Sequence, residues 1–85
     1  MDIEERKRAA AERAVEFITE GMVVGLGSGS TARYATLRLG ALLRAGALRG
    51  IVAIPTSNQT AALAQAEGIP LSDLEAHPAI DLTID

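Results

Sequence analysis

Residues 2–20 hold strong helix formers and neither glycine nor proline, with Ile3, Ala10, Ala14, Phe17 and Ile18 near one face and Glu, Arg and Lys on the other. That spacing predicts one amphipathic helix. Asp2, Glu4 and Glu5 suit the positive end of its dipole, and Gly21 is a suitable stop. Met22-Val23-Val24-Gly25-Leu26 is a short apolar run bounded by glycines, the pattern of a strand buried on both faces of a parallel sheet. From Thr31 or Ala32 to Ala45, the positions Ala35, Leu39, Leu42 and Leu43 recur at helical spacing while Arg33, Arg38 and Arg44 reach solvent. Gly40 weakens this second helix slightly, and Gly46 follows its end.

Ile51-Val52-Ala53-Ile54 is a second buried-strand pattern, closed by Pro55, which lacks a backbone donor. A third helix is expected from Thr56 or Ser57, whose hydroxyls can cap its free N–H groups, until Gly68 and Pro70 stop it. Ile69-Pro70-Leu71 reads as a short edge strand, residues 72–75 as a turn, His77-Pro78 as a loop and residues 80–85 as a further strand. Helices alternating with buried strands predict an α/β fold, an open parallel sheet with right-handed crossovers. In such sheets ligands sit beyond the carboxyl ends of the strands. The Gly/Ser segment at 25–31 and Asp85 both fall there.

Composition narrows the function classes. The 85 residues are 48% apolar and 22% charged, a folding composition, but only Phe17 and Tyr34 are aromatic, so the core must come from Ala, Leu, Ile and Val. Such a core fits either a marginal small domain or part of a larger one. The absence of cysteine removes disulfide scaffolds and Cys-zinc sites and fits a reducing cytoplasm, and one histidine cannot form a cluster. No apolar run suits a membrane span, and the N-terminus lacks the apolar stretch of a secretory signal. Residues 1–50 hold all eight bases and six acids, whereas residues 51–85 hold five acids and no base. Without a basic stripe, nucleic-acid binding is disfavoured, and a small anion at the N-terminal half is the better expectation.

The strongest local signal is Gly25-Leu26-Gly27-Ser28-Gly29-Ser30-Thr31, between a strand and a helix. Its glycines let the backbone turn tightly and expose successive N–H groups, the helix N-terminus adds its dipole, and the hydroxyls add donors, which together suit a phosphate. The plainer reading is a turn that only changes direction, with Ser30 or Thr31 as N-cap. A Walker loop would need a lysine, and the dinucleotide pattern would need glycine at position 30, so a compact phosphate such as that of a sugar fits best.

Lys7, the only lysine, reads from spacing alone as part of a solvated face beside Glu4 and Arg8. Asp81 and Asp85 flank an apolar segment, and Asp85 is read equally as a solvated acid or as an acceptor for a substrate hydroxyl. His77 reads as a surface residue, and Thr56-Ser57 as a helix cap.

The chain resembles the N-terminal part of ribose-5-phosphate isomerase, type A. The resemblance rests on Gly25-Leu26-Gly27-Ser28-Gly29-Ser30-Thr31-Ala32, on Pro55-Thr56-Ser57 with Thr60, on Gly68-Ile69-Pro70-Leu71 and on Asp81-Leu82-Thr83-Ile84-Asp85, in order along nearly the whole chain. Ser28 stands where the family usually has threonine, which keeps the hydroxyl. The resemblance implies a Rossmann-like parallel sheet with flanking helices, residues 1–85 being the incomplete N-terminal portion of a sugar-phosphate isomerase domain with no internal boundary. It further implies interconversion of ribose 5-phosphate and ribulose 5-phosphate through an enediolate, in the non-oxidative branch of the pentose phosphate pathway, without metal or organic cofactor and with a glutamate as base.

Carried over, Ser28, Gly29, Ser30 and Thr31 form the substrate loop and Lys7 lies near the phosphate. Asp85 matches the first acid of the family's Asp-Gly-Ala-Asp-Glu motif, which bonds sugar hydroxyls and aids ring opening. The catalytic glutamate falls beyond position 85, Glu67 and Glu75 do not match it, and the 85 residues alone are expected to be inactive. A cytoplasmic homodimer or larger assembly, with no nucleic-acid or membrane partner, completes the expectation. A non-catalytic sugar-phosphate-binding module, or a CoA-transferase-like or amino-sugar-phosphate isomerase relative, is the alternative.

Overall fold

The computed structural model describes residues 2–85. Its elements are α1 (Ile3–Val15), β1 (Val23–Leu26), α2 (Ser30–Arg44), β2 (Val52–Pro55), α3 (Asn58–Ala66) and β3 (Leu82–Ile84). The strands form one parallel sheet in the order β2-β1-β3, with Val24 opposite both Ala53 and Leu82 and Gly25 opposite Thr83. The expected α/β architecture is therefore present, with β1 at its centre. Among the described residues no helix is long and apolar enough to cross a membrane.

Helix α1 begins as its sequence dictates, with the Asp2 carboxylate accepting from the Glu5 N–H at 2.7 Å. It ends at Val15, five residues short of the expected Glu20, because the Phe17 and Ile18 N–H groups turn to the carbonyls of Ala14 and Val15 and tighten the last turn. The buried face is Ala11, Val15 and Ile18, while Ile3 and Phe17 stand 65% and 62% exposed. A helix with alanine on several sides specifies its inner face only weakly, and the early stop swings Phe17 outward. Gly21, at φ 81°, serves the entry to β1 instead, where its N–H donates to Arg49.

Helix α2 starts at Ser30, slightly before the expected position, and buries Ala32, Ala35, Thr36, Leu39 and Gly40. Gly40 is an apparent flaw in the sequence that has a packing reason. A Cβ there would lie 2.7 Å from Glu67 Cβ and 3.0 Å from the Glu67 carbonyl oxygen, so the missing side chain lets α3 close against α2. Arg44 fastens the same contact, donating to the Glu67 carbonyl and carboxylate at 2.6 and 2.7 Å. In place of the expected edge strand, Leu71 makes an isolated parallel bridge to Ala53, flanked by bonds from the Ala53 N–H to Pro70 and from the Ser72 N–H to Ala53.

One sheet face, carrying Val24, Leu26, Ala53 and Ile84, packs against Ala11, Val15, Ala32, Ala35, Leu39 and Ala64 from the helices. Helices α1 and α2 are joined at the surface, where the Tyr34 hydroxyl donates to Glu4 and the Arg8 guanidinium lies 5.4 Å from the Tyr34 ring centroid. That bond to Glu4, followed by desolvation and the Glu4 charge, raises the Tyr34 pKa above its ordinary 10.0, while Arg8 and Arg33 pull the other way.

Two outcomes follow from this packing. Gly40→Ala should destabilise the chain in urea unfolding by about 1–3 kcal/mol through overpacking, despite the gain in helix propensity; a more stable variant would show that Glu67 can yield. The single tyrosine makes the second directly readable, since absorbance at high pH should give a tyrosinate midpoint above 10.0. Because the folded state favours the protonated phenol, the tie is complete below the unfolded pKa and is lost as pH rises through the raised one. Glu4→Gln should lower the midpoint.

Candidate functional site

The carboxyl end of β1, at the middle of the sheet, opens into residues 27–29 and then α2. Gly25, Gly27 and Gly29 do not occupy left-handed conformations; the positive φ values belong to Gly21, Gly46, Gly50 and Gly68. Close approach accounts for two of them. A Cβ on Gly25 would lie 3.0 Å from the Thr83 hydroxyl. One on Gly27 would lie 2.8 Å from Asp85 Oδ1, 3.0 Å from Asp85 Cα and 3.1 Å from the Ile84 carbonyl, which already accepts the Gly27 N–H at 2.8 Å. Glycine at 27 thus brings Asp85 beside the loop.

Gly29 caps α2 in extended conformation without a side-chain hydrogen bond, and a Cβ there would meet nothing within 4 Å. Ser30 and Thr31 lie inside the helix and are not its cap. Among the described residues no acceptor bonds the backbone N–H groups of Ser28, Gly29, Ser30, Thr31 or Ala32, or the hydroxyls of Ser30 and Thr31. Five successive amides at a helix N-terminus with no acid in its first turn form a place for negative charge.

The Ser28 hydroxyl is engaged elsewhere. It lies 3.1 Å from the Thr56 hydroxyl and donates to Ser57 at 2.9 Å, joining the loop after β1 to the loop after β2. Thr56 holds the Leu26 carbonyl through both its N–H and its hydroxyl, and Ser57 caps α3 by accepting from the Thr60 N–H, as the sequence suggested. Between α2 and α3 lies a cleft of about 350 Å³ lined by Gly27, Ser28, Gly29, Arg33, Gln59, Thr60 and Leu63, among others. Arg33 is exposed there and has no ion-pair partner among the described residues.

In the sequence Arg33 stands on a solvent face and Gln59 belongs to no motif. The available signal was position, since each stands in the first turn of a helix that carries no acid there.

Asp85 is exposed at the end of β3 with Oδ1 against the Gly27 backbone. Asp81 is structural, its carboxylate accepting from the Val23 N–H at 2.8 Å while its own N–H donates to the Val23 carbonyl at 2.8 Å. Lys7 is half-buried on α1, with Nζ 3.8 Å from Glu4, and that pair is its ionic contact; no bond ties it to residues 27–31. The Glu4–Tyr34 bond nevertheless ties the first turn of α1 to the N-terminal part of α2. His77 donates its N–H to Asp73 in the loop. Glu67 is held by Arg44 near the C-terminus of α3, away from the cleft.

Residues 52–85 match the family model for ribose 5-phosphate isomerase A (phosphoriboisomerase A). The chain is 61% identical over 82 residues to "Probable ribose-5-phosphate isomerase 2" of Arabidopsis thaliana, covering 96% of this chain and 31% of that protein. It is 48% identical to ribose-5-phosphate isomerase A of Roseiflexus castenholzii, covering 100% of this chain and 36% of that one. Its backbone superposes with a TM-score of 0.97 on a solved D-ribose-5-phosphate isomerase in complex with phospho-erythronic acid, at 44% identity, covering 100% of this chain and 37% of the other. The chain thus spans about a third of the length of the relatives it matches. By sequence along its whole length and by fold, the chain matches the N-terminal third of ribose-5-phosphate isomerases of type A.

Proposed function

We propose that this chain carries the phosphate- and sugar-binding part of an aldose-ketose isomerase that interconverts ribose 5-phosphate and ribulose 5-phosphate. The observation that carries the reading is the juxtaposition at Gly27: it is followed by five amides that no acceptor among the described residues bonds, it shares a cleft lining with Arg33, and the Asp85 carboxylate lies against its backbone. A ligand with a phosphate at one end and hydroxyls at the other matches that polarity. The amides from Ser28 to Ala32, with the Ser30 and Thr31 hydroxyls, hold the phosphate, and Arg33 adds charge. Asp85 accepts from sugar hydroxyls and assists ring opening, and Lys7 contributes to the phosphate field across α1. The domain is an N-terminal portion without internal boundary, working within a cytoplasmic homo-oligomer of two or more subunits.

The chemical step moves a proton between the first two sugar carbons through an enediolate, which requires a carboxylate base within reach of the carbon-bound proton. Asp85 is committed to hydroxyls in this reading, Glu67 is engaged by Arg44, and Glu75 lies in the loop before β3. As the family resemblance implies, the base in this reading belongs to polypeptide other than these residues.

The purified 85-residue chain should form no ribulose 5-phosphate from ribose 5-phosphate; turnover that disappears in Asp85→Ala would overturn this division of labour. In a polypeptide of family length containing this chain, Ser30→Ala combined with Thr31→Ala should weaken ribose 5-phosphate binding about tenfold or more, from loss of about 1.5–3 kcal/mol per hydrogen bond to a charged group. Unchanged calorimetric affinity would remove the hydroxyls from the site.

A further inference from the structure

Among the described residues Thr36 and Thr60 are the buried polar ones, and they use their hydroxyls differently. Thr36 donates to the Ala32 carbonyl of its own helix at 2.9 Å, a local bond that joins nothing else. Thr60, 6% exposed, reaches out of α3 to the loop after β1. Its hydroxyl donates to the Gly27 carbonyl at 3.2 Å, accepts from the Ser57 hydroxyl at 3.0 Å and lies 3.5 Å from the Ser28 hydroxyl. With the Ser28 hydroxyl donating to Ser57 at 2.9 Å, the protons run in one direction from Ser28 through Ser57 and Thr60 to Gly27. Each bond in such a chain polarises the next.

The end point matters because the Gly27 carbonyl and the Ser28 N–H belong to one peptide unit. That unit is planar and trans, so its N–H points opposite to its C=O. Holding the carbonyl on Thr60 fixes the direction of the Ser28 N–H, the first of the five amides without an acceptor among the described residues. It also keeps the negative end of that peptide dipole away from an anion placed at the amides. A flipped plane would offer the anion an oxygen in place of a donor, and glycine at 27 gives little resistance of its own to that rotation.

We propose that Thr60 is a positioning residue for the anion site: its buried hydroxyl locks the Gly27–Ser28 peptide plane so that the loop is ordered for binding before ligand arrives. This rests on the phosphate-binding role assigned to residues 28–32.

The test uses a polypeptide of family length containing this chain, labelled with ¹⁵N, and two readouts, the order parameter of the Ser28 N–H without ligand and the affinity for inorganic phosphate followed at the Ser28–Thr31 amides. Thr60→Val keeps the shape and removes the hydroxyl, Thr60→Ser retains it, and Thr60→Ala removes it with improved helix propensity should valine prevent folding. The parent and Thr60→Ser should both show a rigid Ser28, near about 0.85, whereas Thr60→Val or Thr60→Ala should fall below about 0.6 with an otherwise unchanged amide spectrum. The hydroxyl-free variants should also bind phosphate at least about tenfold more weakly, or about 1.4 kcal/mol. A Ser28 order parameter unchanged without the hydroxyl overturns the proposal, as does full phosphate affinity in a loosened loop. A loop that loosens in a chain whose parent binds neither phosphate nor ribose 5-phosphate supports the hold of Thr60 and sinks the anion-site reading instead.

Discussion

The backbone of residue 27 is shared between two parts of the fold that would otherwise be independent. Its N–H belongs to β3 through Ile84, its carbonyl belongs to α3 through Thr60, and its Cα faces Asp85 at a separation that leaves no room for a methyl group. The opposing atoms include the backbone of β3, so a side chain here could be accommodated only by moving the strand. Because the strand end, the loop and the helix are fixed to one residue, the amides and Asp85 keep their relative placement. The proposed anion site at residues 28–32 is consequently built on main-chain amides whose placement the fold sets.

The helix layer serves the same end. Ala11, Ala32, Ala35 and Ala64 are fully buried, and Gly40 admits Glu67 where a larger residue would hold the helices apart. Small residues bury little apolar area, at roughly 25 cal/mol per Å² of stabilisation, so this core is a weak source of cohesion. What they permit is close approach, which brings the N-termini of α2 and α3 to the two sides of one cleft. Two helix ends without acids in their first turns border that cleft, and their dipoles favour negative charge there although the chain's net charge is −3.

The order of elements was legible because apolar runs such as 22–26 and 51–54 are bounded by glycine or proline, and short buried strands have few other ways to be written. The Ser57 cap and the stop at Gly68 followed from local chemistry and were equally readable. Where alanine dominates, as along α1, period alone could not choose between Ala10 and Ala11 as the inner position, and the tightened turn after Val15 depends on how the chain enters the sheet. The roles of Gly25, Gly27 and Gly40 were hidden for a related reason: each answers to an atom from a distant segment, Thr83, Asp85 or Glu67. Thr60 was visible as one motif residue among several. Its bond to Gly27 crosses 33 positions of sequence, and no local pattern announces it.

Asp81 has a consequence for Asp85 that reaches beyond its own two bonds. By taking the Val23 N–H on its carboxylate and giving its own N–H to the Val23 carbonyl, it grips a single residue of β1 from both sides. A three-residue strand has little else to prevent it from slipping, and a slip of one position would exchange the faces of Leu82, Thr83 and Ile84. Asp81 acts as the zero mark of a ruler. Counted from it at about 3.3 Å per residue, Asp85 falls about 13 Å further on, opposite Gly27. An insertion or deletion between the two aspartates would leave both residues present and the sheet paired, yet would deliver the second carboxylate to the wrong place.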